Sequence, residues 1–220
     1  MGTCYIVCVK IIITIMNYNI LTTGESLKKT YDALATKGYK VELVKTGFDA
    51  LSKIKEIIPE GATIMNGSST TLSQIGFVDV LKNKEHKWNN LHDKVLNEAD
   101  PDLQAELRKQ VVHSEYYLGS VHALTEDGDM LIASNSGSQL PSIVYTSTHL
   151  VFVVGTQKIV PNLEEAFNRL EQYVVPLEDK RALEAYGVNT QVNKILLIKG
   201  ENPHMGRTIH IILVEEILGF

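Results

Sequence analysis

The chain has 220 residues, which suits one domain, and its apolar (44 %) and charged (21 %) contents are those of an ordinary globular protein. Its net charge of −5 argues against nucleic-acid binding. The only two cysteines are Cys4 and Cys8, so we expect no disulfide framework and no iron–sulfur cluster held by this chain alone. This cysteine usage predicts a cytoplasmic protein.

The N-terminal residues 1–15 are apolar but are interrupted by Lys10. This run is too short to span a bilayer, and it lacks the basic region and the cleavage site of a signal peptide, so we expect no membrane association. We interpret it either as an upstream extension, with Met16 as the natural start, or as an extra edge strand. Residues 16–220 then form a single predicted domain.

The first part of the domain alternates predicted helices and strands. Gly38 and Pro59 are the residues at which two of the helical patterns stop. Helices are predicted over residues 23–37, 48–58 and 70–81, and strands over residues 39–44 and 62–65. This order predicts an α/β fold with a mostly parallel sheet flanked by helices.

Residues 83–114 differ from the rest because they are strongly charged. Pro101 divides them, and Asp100 is a good N-cap for the second half. We predict a helical insertion here, with two helices that form a lobe or lid outside the sheet. A solvated cover is favoured over a binding site for such a segment.

The remainder of the chain returns to the sheet. Asp127 and Gly128 form a predicted turn between two strands, and Asn162 with Glu165 predicts a helix start. Strands are predicted over residues 121–124, 130–133, 150–154, 194–198 and 208–214, and helices over residues 140–145, 161–173 and 176–186. We place all these strands in the same sheet.

Two polar loops are candidate anion-binding sites because each follows a strand and opens a helix, where backbone N–H groups can donate hydrogen bonds to phosphate or carboxylate. The alternatives are a simple N-cap for the first loop and a flexible loop for the second. The residues are Asn66, Gly67, Ser68, Ser69, Thr70 and Thr71 in the first loop, and Asn135, Ser136, Gly137, Ser138 and Gln139 in the second.

Glu126 and Asp127 are the candidate catalytic pair, as general base and orienting group. The alternative is a hairpin turn, which favours Asp-Gly for conformational reasons alone. Lys158 follows a predicted strand and either faces the pocket formed by these loops or is a solvated loop residue. His122 is the histidine that lies beside a candidate loop. Strand ends in one α/β sheet converge on one cleft, so we expect these loops to meet there.

No cofactor is expected, since the spaced-glycine pattern of nicotinamide and flavin sites is missing, and the histidines lack the paired spacing of a metal site.

Four segments together resemble LUD-domain proteins, the lactate-utilization protein C group. They are GSSTTLSQIG (67–76), ALTEDG (123–128), VVGTQKIVPNLEEA (153–166) and ILVEEILGF (212–220). The family patterns are GGSxTLxEIG, AxTEDG, VVGxxKIVPxLEEA and ILVxExLGF. Ser68, Gln74 and Gln139 depart from the residues that the family often carries.

This resemblance implies a fold like that of ribose-5-phosphate isomerase, sugar-phosphate deaminases and CoA transferases. By that analogy residues 67–71 hold an anion, Glu126 or Asp127 moves a proton, and residues 136–139 close the site. The family setting implies lactate oxidation to pyruvate beside iron–sulfur oxidase subunits.

The chain is then expected to be an accessory component of lactate or organic-acid utilization that binds a small anionic metabolite. The alternative is a stand-alone isomerase or transferase acting on a phosphorylated or CoA-linked metabolite. Assembly with further copies of the chain, as a homo-oligomer, stays open.

Overall fold

The computed structural model describes residues 17–220, so the interpretation of residues 1–15 lies outside the described residues. The helices are α1 (Gly24–Thr36), α2 (Gly47–Ile57), α3 (Thr70–Gln74), α4 (Phe77–Lys82), α5 (Leu91–Leu96), α6 (Pro101–Gln110), α7 (Leu163–Arg169) and α8 (Val175–Tyr186). The strands are β1 (Lys40–Val44), β2 (Thr63–Asn66), β3 (Asn89–Asn90), β4 (Tyr116–Gly119), β5 (Ala123–Thr125), β6 (Met130–Ser134), β7 (His149–Gly155), β8 (Ile159–Val160), β9 (Lys194–Ile198) and β10 (Thr208–Val214).

The larger of two sheets has six strands in the order β1-β10-β7-β4-β2-β3, and every neighbouring pair is parallel. The predicted α/β class with a mostly parallel sheet flanked by helices is therefore confirmed. Strand β4 was not among the predicted strands, although it lies at the centre of this sheet beside β7.

The smaller sheet has the order β8-β5-β6-β9, in which β6 is antiparallel to both of its neighbours. The prediction of one sheet for all strands is therefore wrong. The connection between β5 and β6 is a short turn, which permits only antiparallel pairing, whereas the parallel pairing of the large sheet needs a crossover. These two strands therefore pair with each other in the smaller, mixed sheet.

The apolar side chains of β7 alternate between the two faces of the large sheet. Val151 and Val153 pack with residues of α2, α3 and α4. Leu150, Phe152 and Val154 pack on the opposite face with α1 and the small sheet. Because both faces are covered, β7 is a continuous apolar run, as is typical of a central parallel strand.

The small sheet has a second covered face. Ala123 and Leu131 on that face pack against Ala166, Leu170 and Val174 from the segment that contains α7. The domain thus has four layers, which are helices, the parallel sheet, the small mixed sheet with α1, and helices again. This stacking places the end of β6 next to the carboxyl edge of the parallel sheet.

The helix predicted over residues 70–81 is two short helices, α3 and α4. Gly76 separates them with a φ angle of +81°, a left-handed conformation that ends one helix and begins the next. A π-helical turn, Leu170–Val174, joins α7 directly to α8, so the predicted gap before Pro176 is missing. Pro176 is the second residue of α8 and follows the π-helical turn directly, so its missing N–H interrupts the hydrogen bonds of the continuous helix at this point.

The charged segment contains the two predicted helices, α5 and α6, but it also contains β3, which pairs with β2 at the edge of the large sheet, so the prediction that the whole segment lies outside the sheet is wrong. Asp100 caps α6 as predicted, because its carboxylate accepts the backbone N–H groups of Asp102 and Leu103 at 2.8 and 3.2 Å. None of the side chains on α6 is buried, which fits a solvated outer helix. Across residues 17–220, no helix is both long enough and apolar enough to cross a membrane.

Candidate functional site

A cavity of about 550 Å³ lies where β2 and β4 end, beside the end of β6. The first polar loop follows β2, and the second polar loop follows β6. Residues from the α5–α6 segment and from α8 complete the wall. The carboxyl edge of a parallel sheet is the usual ligand-binding position in open α/β folds, so the location itself is a reason to treat this cavity as a site.

The structure brings the two predicted binding loops together around this cavity. Lys158 also lines it. Gly137 is absent from the described wall and has a φ angle of +83°, which lets the second loop turn back. The wall contains Asn66, Gly67, Ser68, Ser69, Thr70 and Thr71 from the first loop, and Asn135, Ser136, Ser138 and Gln139 from the second.

The predicted convergence of Glu126 and Asp127 with these loops is wrong. Both acids are absent from the cavity wall and form ion pairs with Lys29 on α1, at 3.2 Å and 3.1 Å respectively. Glu126 also accepts a hydrogen bond from the hydroxyl of Ser26. These contacts hold the two carboxylates against α1, outside the described wall of the cavity.

The separation follows from the antiparallel pairing of β5 and β6. Glu126 and Asp127 lie in the turn before β6, whereas the second polar loop follows it. A strand of five residues at about 3.4 Å per residue keeps its two ends far beyond contact distance. Asp127 and Gly128 therefore form a hairpin turn between β5 and β6, as the alternative interpretation predicted.

Lys158 lies in a short 3₁₀ turn after β7 and is only 2 % exposed. Its Nζ donates hydrogen bonds to the Thr71 hydroxyl at 3.0 Å, the Ser120 hydroxyl at 3.1 Å and the Val121 carbonyl at 3.2 Å. Within residues 17–220 no carboxylate lies within ion-pair distance of this nitrogen. Burial, and secondarily the charge of Arg169, holds the pKa of Lys158 well below its usual value.

His122 lines the cavity from the connection between β4 and β5. Its Nδ1 accepts the backbone N–H of Ala133 at 3.0 Å, so the neutral ring carries its proton on Nε2. Burial, followed by the charges of Lys158 and Arg169, lowers the pKa of His122 to about 3. This histidine is thus a neutral hydrogen-bond donor in the wall at neutral pH.

Arg169 is fully buried at the end of α7, behind His122. Its Nη1 donates to the His122 carbonyl, and its guanidinium carbon lies 5.2 Å from the centre of the Tyr173 ring. Its Nε and Nη2 have no hydrogen-bond partner in the described part of the chain. Burial lowers the pKa of Arg169 to about 10, so the residue stays charged at neutral pH.

Basic side chains outnumber acidic ones in the cavity wall. Arg108 from α6 and Arg181 from α8 join Lys158 there. Glu178 is the sole acidic side chain among the described wall residues, and it accepts two hydrogen bonds from Arg181, at 2.7 and 2.6 Å. The side chains of the described wall therefore present a net positive charge to a bound anion.

Helix α3 contributes less to anion binding than the sequence predicted. It has five residues, and its first-turn Leu72 N–H is already capped by the Ser69 hydroxyl at 3.3 Å. So short a helix has only a small dipole. The attraction for an anion comes from the basic side chains, while the loop supplies hydroxyl groups and the buried Asn66.

Comparison with known proteins identifies the family. The model of the LUD domain matches residues 27–214, most of the chain. The chain belongs to the LUD domain family. This confirms the membership predicted from the four sequence segments. The search of curated proteins finds no match to this LUD domain.

Solved structures support the same placement of the LUD domain. A DUF162 family protein from Deinococcus radiodurans, whose crystal structure was determined at 1.70 Å, is similar with a TM-score of 0.51 and 12 % sequence identity. The similarity covers 86 % of this chain and 96 % of that chain. At such low identity it shows a shared fold and carries no information on the ligand.

The sequence prediction missed part of the site in this LUD domain. Tyr117, Ser120 and Val121 come from β4 and the connection after it, and Arg108 and Arg181 come from outer helices. A signal for the first group existed, because Tyr116–Gly119 is a short apolar run ended by glycine, which is a strand pattern. The two arginines carry no such local signal, since charged residues are common on any solvated helix.

Proposed function

We propose that this LUD-domain protein binds a small organic anion in the cavity, as an accessory component of lactate or related organic-acid utilization. The observation that carries the proposal is the buried amine of Lys158, which has hydroxyl and carbonyl partners but no carboxylate partner in the described chain. Buried charges in proteins are normally paired. A carboxylate or phosphate group in the cavity would accept a hydrogen bond from this amine in either protonation state, and it would pair with the ammonium form.

The cavity volume and the remaining wall fit that role. About 550 Å³ lies within the usual range for small-molecule sites, roughly 300–1,000 Å³. Hydroxyl groups from both polar loops and the donor of His122 surround the space. These groups are suited to orient a polar metabolite after electrostatic attraction has brought it into the cavity.

The metabolic setting of the proposal comes from the family. LUD-domain relatives are associated with lactate oxidation beside iron–sulfur oxidase subunits, and Cys4 and Cys8 are too few to hold such a cluster in this chain. We infer that redox chemistry belongs to partner subunits and that this chain binds the anion. Localisation in the cytoplasm is part of the same proposal.

The alternative, an isomerase or transferase for a phosphorylated or CoA-linked metabolite, rested on an acid in the site. Glu126 and Asp127 are remote from the cavity, and Glu178 is engaged by Arg181. Among the described wall residues, no side-chain carboxylate is therefore free to act as a general base, and the anion-binding role has the stronger support.

Thermal unfolding with candidate anions tests the proposal. Lactate, pyruvate, ribose 5-phosphate and CoA are each added over a concentration series, and a ligand present at 100 times its Kd should stabilise the fold by about 2.7 kcal/mol. We expect stabilisation by a small carboxylate, weakened in Arg108→Gln. Lys109→Gln is the matched control, because Lys109 neighbours Arg108 on α6 but does not line the cavity.

Two results would contradict the proposal. One is the absence of stabilisation by every anion in the series. The other is equal weakening by Arg108→Gln and Lys109→Gln, which would indicate nonspecific attraction to a charged helix. Stabilisation by ribose 5-phosphate or CoA, with none by lactate or pyruvate, would replace organic-acid utilization with the alternative substrate class.

A further inference from the structure

We propose that Lys158 is a nucleophile that forms an imine with the carbonyl carbon of a small anionic carbonyl compound in the cavity. This inference rests on the proposed function, because it takes anion binding as the step that brings the compound to the wall. It adds a covalent step that anion binding alone does not require.

The surroundings of the amine support this assignment. Its three partners are the oxygens of Thr71, Ser120 and Val121, none of which carries a negative charge. An amine that serves only as a structural cation is normally held by a carboxylate. The surroundings of Lys158 instead leave its proton weakly held, and its position in the wall of the cavity brings it next to a bound ligand.

Nearby charge favours the reactive, unprotonated form. Desolvation and the buried guanidinium of Arg169 both lower the pKa of Lys158. Arg169 is itself held by the His122 carbonyl and the ring of Tyr173. A desolvated lysine beside a second cation is a known way to activate an amine toward carbonyl carbons.

The hydroxyl of Ser120 gives the neutral amine a workable hydrogen-bond arrangement. A neutral amine donates two hydrogen bonds and accepts one, whereas a hydroxyl both donates and accepts. Ser120 Oγ lies 3.1 Å from the amine, and its other contact, to the Val121 carbonyl, is long at 3.4 Å. Ser120 can therefore turn its proton toward the amine nitrogen and take part in proton transfer.

The reaction is balanced without an oxidant or a reductant. The amine lone pair attacks the carbonyl carbon and forms a C–N bond, while the carbonyl oxygen takes up a proton. Of the two amine protons, one replaces the proton taken up by the oxygen, and the other moves to the new hydroxyl group, which leaves as water while the nitrogen lone pair forms the C=N bond. The net change is amine plus carbonyl compound to imine plus water, and added water reverses it.

The other lysines supply an internal comparison. Lys29 is half-exposed and pairs with both Glu126 and Asp127, which raises its pKa. Such a lysine stays protonated and reacts slowly. Because the pKa of Lys158 is lowered and that of Lys29 is raised, a larger fraction of Lys158 is neutral, and Lys158 should form the adduct faster than Lys29 at neutral pH.

Reductive trapping tests the inference on the full chain. The protein is incubated with pyruvate or with ribose 5-phosphate and reduced with borohydride, and adducts are located by intact mass and peptide mapping. We expect one adduct per chain, on the peptide containing Lys158, with at least one of the two probes. The adduct should be lost in Lys158→Met and kept in Lys29→Met.

Ser120→Ala provides a second variant that retains the amine. We expect slower trapping at Lys158 in this variant, and slower trapping in the wild-type protein when lactate is added, since lactate has no ketone or aldehyde group and can only compete. Should Lys158→Met fail to fold, the wild-type peptide map and Ser120→Ala still decide the question.

The outcomes separate this inference from the anion-binding proposal. Stabilisation by lactate or pyruvate without an adduct on Lys158 overturns imine formation and leaves anion binding intact. Adducts distributed over exposed lysines, with Lys158 unmodified, also overturn it. Absence of both stabilisation and adduct contradicts the two proposals together.

Discussion

The side-chain nitrogen of Lys158 lies 3.0 Å from the hydroxyl of Thr71, although 87 residues separate them in the chain. That hydroxyl in turn donates to the Leu218 carbonyl at 3.3 Å. One buried threonine thus connects the first polar loop, the turn after β7 and the C-terminal segment. The polar wall of the cavity depends on this connection.

Thr71→Val should lower the free energy of unfolding by about 1–2 kcal/mol, because it removes the shared hydroxyl at nearly constant volume and leaves the Lys158 amine short of a partner. Chemical denaturation measures the change. Thr70→Val is the matched control, since the Thr70 hydroxyl has no hydrogen-bond partner among residues 17–220. A loss of similar size in the control would show that α3 tolerates valine poorly and that the hydroxyl is unimportant.

Gly67→Ala should destabilise the protein by about 1–3 kcal/mol and weaken anion binding, because overpacking displaces neighbouring groups. A Cβ atom at Gly67 would lie 2.7 Å from the hydroxyl of buried Tyr117 and 3.0 Å from the side chain of Gln139, both in the cavity wall. Denaturation and anion titration measure the two effects. Gly200→Ala is the control, since its Cβ would meet no atom within 4 Å. Unchanged anion affinity in Gly67→Ala would contradict the expected disturbance of the wall.

Glu126→Gln and Asp127→Asn should leave anion binding and imine trapping unchanged. Their pairs with Lys29 lie at the surface, where solvent screening weakens such interactions, so a small loss of stability is the expected effect. Thermal shift with the same anions is the measurement. A large loss of binding in either variant would show that the turn reaches the ligand after all.

The pH dependence of stability should contain a contribution from His122. Its pKa is about 3 in the folded protein and near the ordinary 6.5 in the unfolded chain. Between pH 3 and pH 6.5, His122 is therefore protonated in the unfolded state and neutral in the folded state. This contribution to stability is complete above pH 6.5 and is lost as pH falls toward 3, by an amount on the order of 3–5 kcal/mol.

His122→Asn tests this pH contribution, because the asparagine oxygen can still accept the Ala133 N–H while the side chain no longer titrates. Denaturation between neutral pH and pH 4 should show a smaller loss of stability in the variant than in the wild-type protein. His204→Asn, at an exposed position, should lose as much stability between neutral pH and pH 4 as the wild-type protein. An equal loss of stability in all three proteins would contradict the assignment to His122.

Local sequence patterns predicted much of the fold, because strand periodicity and helix capping depend on residues that are close to one another in the sequence. The run Leu150–Val154 alternates between two covered faces and is apolar throughout, which identifies a central strand without knowledge of its neighbours. The caps Asp100 and Asn162 each accept backbone N–H groups close in sequence. In the same way the family segments are contiguous and could be recognised directly.

The sequence by itself therefore determined the α/β class, the LUD domain family and the two polar loops that line the cavity. Only the tertiary structure decided that a second, antiparallel sheet carries β5 and β6, which moves Glu126 and Asp127 away and brings His122 in. It also decided that Lys158 is buried beside Thr71 and has no carboxylate partner among residues 17–220. The reason is that strand pairing and burial of charge depend on contacts between residues far apart in the chain, and local periodicity does not specify those contacts.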